Sequence, residues 1–355
     1  MCPFATGSAL RSALPQLDPF RLNYATMDIV FMGTPEFAVP SLEALSDAGY
    51  TPQTVVTGPD RGRGRGQSTR PTAVKKTARA LKIDDILQPN SVHDASFAAA
   101  LREREPDCFV VVAFKILPSP VLSIPTKGAF NLHGSLLPAY RGAAPIHRAV
   151  MNGDTETGVT TFFLEPAVDT GNMILKKRMP IGPNDTTGSV HDRMMHLGAK
   201  AVVETVQLIE QGTAPRIPQD NDAATPAPKV HAEEADIPWD EPATTVHNHI
   251  RGLSPIPGAW TLHGDTRLKV YRSRVLGEAA AQADLQSIGA ANTPCPGMVL
   301  TTDGVVHVAC GTGVVSLETL QQPGKQRLDA EAFVNGYPVS AGDVLASSPA
   351  DTVVA

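Results

Sequence analysis

Six consecutive apolar residues, Cys108-Phe109-Val110-Val111-Val112-Ala113, constrain the fold of this chain more than any other segment. A strand with no polar residue on either face must be covered on both, as happens to a parallel strand between two helical layers. Its surroundings alternate in the way such a sheet requires. Strands are expected over 29–32, 53–57, 129–132 and 159–164, and helices over 40–48, 70–81, 95–104 and 145–151, with Pro71 in the first turn of the second. A longer helix over 189–211 carries Met194, Met195, Val202, Val206 and Ile209, and Gly212 stops it. This rhythm predicts an α/β fold with an open, twisted, Rossmann-like sheet over 27–212.

The pattern changes at residue 213. Thr213-Ala214-Pro215-Arg216-Ile217-Pro218 and the stretch from Asn221 to Lys229 are rich in proline and have no period, which marks 213–233 as a linker. Beyond it, a helix at 243–251 and short strands at 259–262, 267–275, 297–301, 305–309 and 314–317 predict a small β-barrel over 234–345, followed by a tail at 346–355. Two domains suit a chain of 355 residues. Four scattered cysteines without metal-like spacing signal neither disulfides nor zinc and favour a cytoplasmic location, with Cys108 a small buried hydrophobe. No apolar stretch reaches membrane-spanning length. Residues 1–26 lack the apolar core of a secretory signal, so Met27 is expected to be the true start, or the extension a disordered tail.

Chemistry concentrates in Phe130-Asn131-Leu132-His133-Gly134-Ser135-Leu136-Leu137-Pro138 and in Val168-Asp169-Thr170-Gly171. Asn131 and His133 lie two apart, so an extended backbone aims both at one face. An amide, an imidazole and a carboxylate are what a one-carbon acyl transfer needs: two donors for the oxyanion of a tetrahedral intermediate, and an acid group to hold the imidazole. Each alone is weak evidence, since Asp-Thr-Gly is first of all a turn signal. Gly33, between a strand and a helix, lacks the rest of a G-x-G-x-x-G pattern and is expected only to permit the turn.

Taken together, Asn131-Leu132-His133-Gly134-Ser135-Leu136-Leu137-Pro138-Ala139-Tyr140-Arg141-Gly142-Ala143-Ala144-Pro145-Ile146 resembles the active-site signature of the methionyl-tRNA formyltransferase family, and the likeness runs from about residue 27 to about 345. The resemblance implies a Rossmann-like catalytic domain followed by an OB-like barrel. It also implies transfer of the formyl group of 10-formyltetrahydrofolate to the α-amine of initiator methionyl-tRNA, without a metal. Asn131, His133 and Asp169 would be catalytic. Ser135, Leu136, Leu137 and Pro138 would border the folate site, and 113–118 would form a second wall, one residue shorter than the family's commoner form. A monomer is expected.

One further segment stands out against a net charge of −6: Asp60 to Lys76 holds Arg61, Arg63, Arg65, Arg70, Lys75 and Lys76 against one acid. Alternating Gly and Arg can follow a phosphate backbone. In the family, the corresponding loop enters the tRNA acceptor stem. The resemblance therefore makes Arg61, Arg63, Arg65 and Arg70 tRNA contacts, with Arg65 at the first base pair, and adds Lys269 beyond the linker. Formylation of a small amine, a formyltetrahydrofolate hydrolase and a non-catalytic RNA-binding protein are the competing readings. The basic loop argues against the first two, and the complete Asn/His/Asp set against the third.

Overall fold

The computed structural model describes residues 27–63, 68–287 and 294–347. The expectations placed on residues 1–26 and Arg65, and on all but the first two residues of the tail, lie outside them. In the first half, strands β1 (Ile29–Gly33), β2 (Thr54–Val56), β3 (Arg61–Arg63), β4 (Ser68–Arg70), β5 (Ile86–Leu87), β6 (Cys108–Val112), β7 (Ala129–His133), β8 (Glu156–Phe163) and β9 (Met173–Pro180) alternate with helices α1 (Val39–Asp47), α2 (Ala73–Ala80), α3 (Ala95–Arg102), α4 (Ser119–Leu122), α5 (Pro145–Met151) and α6 (Thr187–Glu210). Seven of these strands form one sheet in the order β5-β2-β1-β6-β7-β8-β9. The first five in that order run parallel, and β8 and β9 complete the sheet antiparallel.

The apolar run does what its composition requires over 108–112, whereas Ala113 is exposed and turns out of the strand with a left-handed backbone. All five residues of β6 are buried. Its side chains alternate between two cores: Cys108, Val110 and Val112 face α1, α2, α5 and α6, whereas Phe109 and Val111 face α3 and α4. Burial pushes the Cys108 thiol up to about 12, so it packs as a neutral hydrophobe. Phe31, Phe109 and Phe130 are fully buried, and burying such a side chain contributes about 1.5–3 kcal/mol.

Helix α2 begins at Ala73 rather than at residue 70, because Arg70 belongs to a two-stranded hairpin with β3. Thr72 then caps the helix, accepting the Lys75 N–H at 3.1 Å.

The second half holds α7 (Ala243–Gly252), β10 (Ala259–His263), β11 (Thr266–Val275), α8 (Glu278–Ser287), β12 (Val299–Thr301), β13 (Val306–Ala309), β14 (Val314–Gln321), β15 (Leu328–Asp329), α9 (Ala330–Gly336) and β16 (Leu345–Ala346). The strands follow the order β12-β13-β14-β11-β10-β16. The sheet nearly closes on itself, since Leu345 N–H donates to Gly297 O and Val299 N–H to Asp343 O, both at 2.8 Å. A barrel-like antiparallel sheet around Trp239, Leu268, Val270 and Phe333 results.

Helix α7 ties the two halves together. Its Arg251, only 4% exposed, donates to Asp185 O at 2.9 Å, and Thr187 Oγ1 donates to Gly252 O at 2.6 Å. Among the described residues, no helix is long and apolar enough to cross a membrane.

Candidate active site

In an open parallel sheet, ligands collect where neighbouring strands send their chains to opposite faces, outside the carboxyl ends of the strands. Here that point lies between β1 and β6, since the chain leaves β1 toward α1 and arrives at β6 from α3 on the other layer. A cleft of about 550 Å³ opens there, lined by residues following β1, β6 and β7 and by the 168–169 turn. That volume is in the usual range for small-ligand sites. A recess of about 90 Å³ branches from it between Phe114, Leu122, Leu164 and Val168.

Three non-glycine residues at this edge have left-handed backbones: Ala113 (φ 49°), Tyr140 (φ 61°) and Asp169 (φ 54°). Such conformations cost about 1–3 kcal/mol each and persist where surrounding contacts enforce them.

Strand β7 delivers Asn131 and His133 together, as their two-residue spacing predicts. Asn131 is held between Val111 of β6 and Phe162 of β8. It lines both the cleft and the recess, and among the described residues none hydrogen-bonds its amide. His133 closes the strand and is 6% exposed. Its Nε2 lies 2.8 Å from Tyr140 O. A carbonyl can only accept, so Nε2 carries a proton and Nδ1 is the nitrogen that gains or loses one.

Nδ1 faces Asp169 Oδ2 at 3.7 Å. That is too long for a direct hydrogen bond, so the pair interacts as neighbouring charges, and a water or substrate atom can meet both only from the side. Asp169 Oδ2 also accepts the Gly142 N–H at 2.9 Å, which fixes the carboxylate's position. The Asp169 turn can approach β8 only because residue 171 is glycine: a Cβ there would lie 1.8 Å from Phe163 O.

Other titratable groups at the cleft have different duties. Burial holds His147 below the ordinary histidine value, so it is neutral near pH 7. Burial and the bonded Asp154 carboxylate push the Tyr140 phenol up to about 12, which makes it a structural donor to Asp154 Oδ2 at 2.7 Å. Among the described residues, no group of three or more His, Cys, Asp or Glu side chains could hold a metal ion.

Ser135 and Leu137 are fully buried beneath the cleft rather than in its wall, and Leu136 and Pro138 do not line it either. Ser135 Oγ donates to Ala139 O at 2.6 Å, and Leu137 packs against Phe162 and Met173. This turn supports the loop that carries Tyr140.

Arg61 and Arg63 are backbone members of the β3–β4 hairpin opposite Arg70 and Ser68. Arg70 is exposed and, with Lys76 and Lys115, lines a groove of about 890 Å³ that shares Pro35, Ala113 and Phe114 with the cleft. Lys75 instead pairs with Asp60 at 2.7 Å. Lys269 is half-buried, its ammonium donating to Pro257 O at 2.8 Å. Tyr271, which alternation alone would set beside it on an exposed face, is 4% exposed and covered by Arg327.

Not foreseen from the sequence is a strap formed by part of the linker. Residues 217–227 run along the site, exchanging backbone hydrogen bonds with Met173 through Ile217 and with Arg141 through Thr225 and Ala227.

Comparison with known proteins shows the family. The family model for formyl transferase matches residues 27–206, and the model for the formyl transferase C-terminal domain matches residues 229–338. The chain is 47% identical to methionyl-tRNA formyltransferase of Moorella thermoacetica over 320 residues, covering 90% of this chain and 99% of that protein. It is 44% identical to the enzyme of the same name from Desulforamulus reducens over 322 residues, covering 90% and 98%.

Among solved structures, the sugar 3N-formyl transferase WlaRD, determined with dTDP and 5-N-formyl-THF, superposes with a TM-score of 0.61 at 20% identity, over 85% of this chain and 99% of that one. HypX from Aquifex aeolicus in complex with tetrahydrofolic acid gives 0.58 at 18% identity, over 88% and 47%. At these identities the two structures speak for the fold. By sequence, the chain belongs to the formyl transferase family, among the methionyl-tRNA formyltransferases.

Proposed function

We propose that this chain moves the formyl group of 10-formyltetrahydrofolate onto the α-amine of initiator methionyl-tRNA, using Asn131, His133 and Asp169. The observation that carries the reading is their convergence on one cleft, with the Asp169 carboxylate 3.7 Å from the one imidazole nitrogen not committed to the backbone. The residues fit the donor. The recess offers Phe114, Leu122, Leu164 and Val168 to a flat heteroaromatic ring, beside an Asn131 amide that has no protein partner among the described residues. Apolar walls with a few placed polar groups are what such a ligand requires.

In the reaction, the amine nitrogen bonds to the formyl carbon and the carbonyl electrons move onto oxygen. Asn131 donates its amide N–H to that oxygen, and protonated Nδ1 of His133 adds a charged donor; losing one such donor typically costs about 100- to 1000-fold in rate. The proton lost by the amine passes through water to the Asp169–His133 pair. Collapse breaks the bond between the formyl carbon and N10, and the pair returns a proton to the departing nitrogen. Because Nε2 is held by Tyr140 O, this chemistry runs through the Nδ1 edge.

The acceptor end of the tRNA is proposed to reach the cleft along the groove lined by Arg70, Lys76 and Lys115. The hairpin bearing Arg61 and Arg63 would lie against its stem, with Arg65 proposed from the sequence as a further contact, and Lys269 would sit farther along. Phosphate contacts of this kind make binding fall steeply with salt. The test is formyl transfer from 10-formyltetrahydrofolate to methionyl-tRNA, run beside uncharged tRNA and free methionine. Transfer to methionyl-tRNA alone is expected; equal transfer to free methionine overturns the assignment of the acceptor.

A further inference from the structure

We infer that the strap at 217–227 is a positioning element for His133, acting through Gln219 and Thr225. The inference rests on the proposed roles of His133 and Asp169. His133 has two partners, Asp169 on its Nδ1 side and the Tyr140 carbonyl on Nε2. The strap holds both. Gln219 Nε2 donates to Asp169 O and to Gly171 O, each at 2.8 Å, and so grips the turn whose middle residue presents the carboxylate. Its Oε1 accepts from Arg141 Nε at 3.0 Å and Nη2 at 2.7 Å. Thr225 Oγ1 accepts the Tyr140 N–H at 2.8 Å, and Thr225 O accepts the Arg141 N–H at 2.8 Å.

The physical need for this grip is visible in the backbone. Asp169 and Tyr140 both have positive φ without being glycine. Each is therefore held in a conformation that its own chain disfavours, and relaxation would move the carboxylate and the carbonyl away from the imidazole. Gln219 spans the two segments: one amide bonds the Asp169 turn with its nitrogen and the Arg141 segment with its oxygen. A side chain of this length, with a donor end and an acceptor end, is required. An apolar residue would bond neither segment, and a carboxylate would present lone pairs to two carbonyls.

A displacement of about 1 Å at a reacting group can cost about 100-fold in rate. Gln219→Ala is therefore expected to lower kcat about 10- to 100-fold while the KM for 10-formyltetrahydrofolate changes less than about twofold. Gln219→Glu, which retains the Arg141 partner and hence the seating of the strap, is expected to lose as much as Gln219→Ala. Thr225→Ala should lower kcat in the same way, and Thr225→Ser, which keeps the hydroxyl, should restore it.

The decisive comparison is Gln219→Ala placed in an Asp169→Asn background. A residue acting through Asp169 costs little more once that carboxylate is gone, whereas an independent structural role gives multiplicative losses. Multiplicative losses, or a Gln219→Glu variant with unchanged kcat, overturn the inference. The unsubstituted chain serves as the reference in every assay: its failure to formylate methionyl-tRNA would count against the proposed reaction, and a normal rate for it beside unimpaired Gln219 variants counts against the strap alone.

Discussion

Replacing Asp169 by Asn removes one charge and almost nothing else. The side chains are isosteric, and the amide oxygen can still accept the Gly142 N–H now received by Oδ2 at 2.9 Å. Asn also tolerates the left-handed backbone, φ 54°, better than most residues. What disappears is the attraction between a carboxylate and the imidazolium that forms 3.7 Å away. Both groups are sheltered, at 6% and 13% exposure, so solvent screening is modest. At an effective dielectric of about 20 the attraction is about 4 kcal/mol at that separation, or about three orders of magnitude in rate.

Asp169→Asn is thus expected to lower single-turnover formyl transfer to methionyl-tRNA about 1000-fold. Affinity for 10-formyltetrahydrofolate and the melting temperature should stay near those of the parent. The assay is rapid quench with labelled formyl donor, beside fluorescence titration of the folate. A loss smaller than about tenfold would remove the carboxylate from the reaction and refute the electrostatic reasoning.

Asn131→Ala and His133→Ala should each lower kcat at least about 100-fold, with the double variant far better than the product of the two losses, because residues acting as a unit are non-additive; strict multiplication would place them in separate steps. Gly171→Ala, which sets a methyl 1.8 Å from Phe163 O, should lower both stability and kcat; an unchanged denaturation midpoint would show that the turn yields freely. Arg65→Ala should weaken transfer most on a tRNA whose first base pair is mismatched, whereas Arg61→Ala should weaken all tRNAs alike and flatten the salt dependence by about one unit of slope; equal effects of Arg65→Ala on both tRNAs would reduce the loop to charge alone. Burial pushes His249 down to about 4, while an unfolded histidine titrates near 6.5. Between these values the unfolded chain binds the extra proton, so stability is full above about pH 6.5 and falls toward pH 4, by about 3 kcal/mol in all; denaturant titrations at pH 7.5 and 5 should show the decline, and His249→Phe should flatten it.

The parallel core was legible because burial leaves a mark on composition: β6 has no polar residue, and the alternation of strands and helices around it has few other solutions. β9 was not foreseen, because Lys176, Lys177 and Arg178 stand in a row on a half-exposed edge strand and hide the alternation that Met173 and Met179 mark at its ends. Helix α8 was not foreseen, since its sequence, mostly alanine and polar residues, offers no stripe of large apolar side chains at helical spacing.

The site divides in the same way. Asn131 and His133 were predictable as a pair because two-residue spacing on a strand fixes a shared face. The approach of Asp169, the capture of His133 Nε2 by a backbone carbonyl and the grip of Gln219 depend on contacts across 7 to 78 residues of sequence, which no local pattern encodes. Proline-rich sequence without a period signalled a linker because its backbone hydrogen bonds form isolated bridges, one with the start of β9 through Ile217 and the others with the 140–144 loop, and not a continuous ladder.

In the proposed reaction this cleft hands a formyl group to an aminoacyl-tRNA rather than to water. The most direct measurement follows carbon-labelled formyl from 10-formyltetrahydrofolate in the presence of methionyl-tRNA, separating formyl-methionyl-tRNA from free formate, for the unsubstituted chain and for His133→Ala. Label is expected in the tRNA product at a rate at least about 100-fold above that of His133→Ala, with little formate from either. Label appearing chiefly as formate, or equally fast transfer without His133, would overturn the proposed reaction.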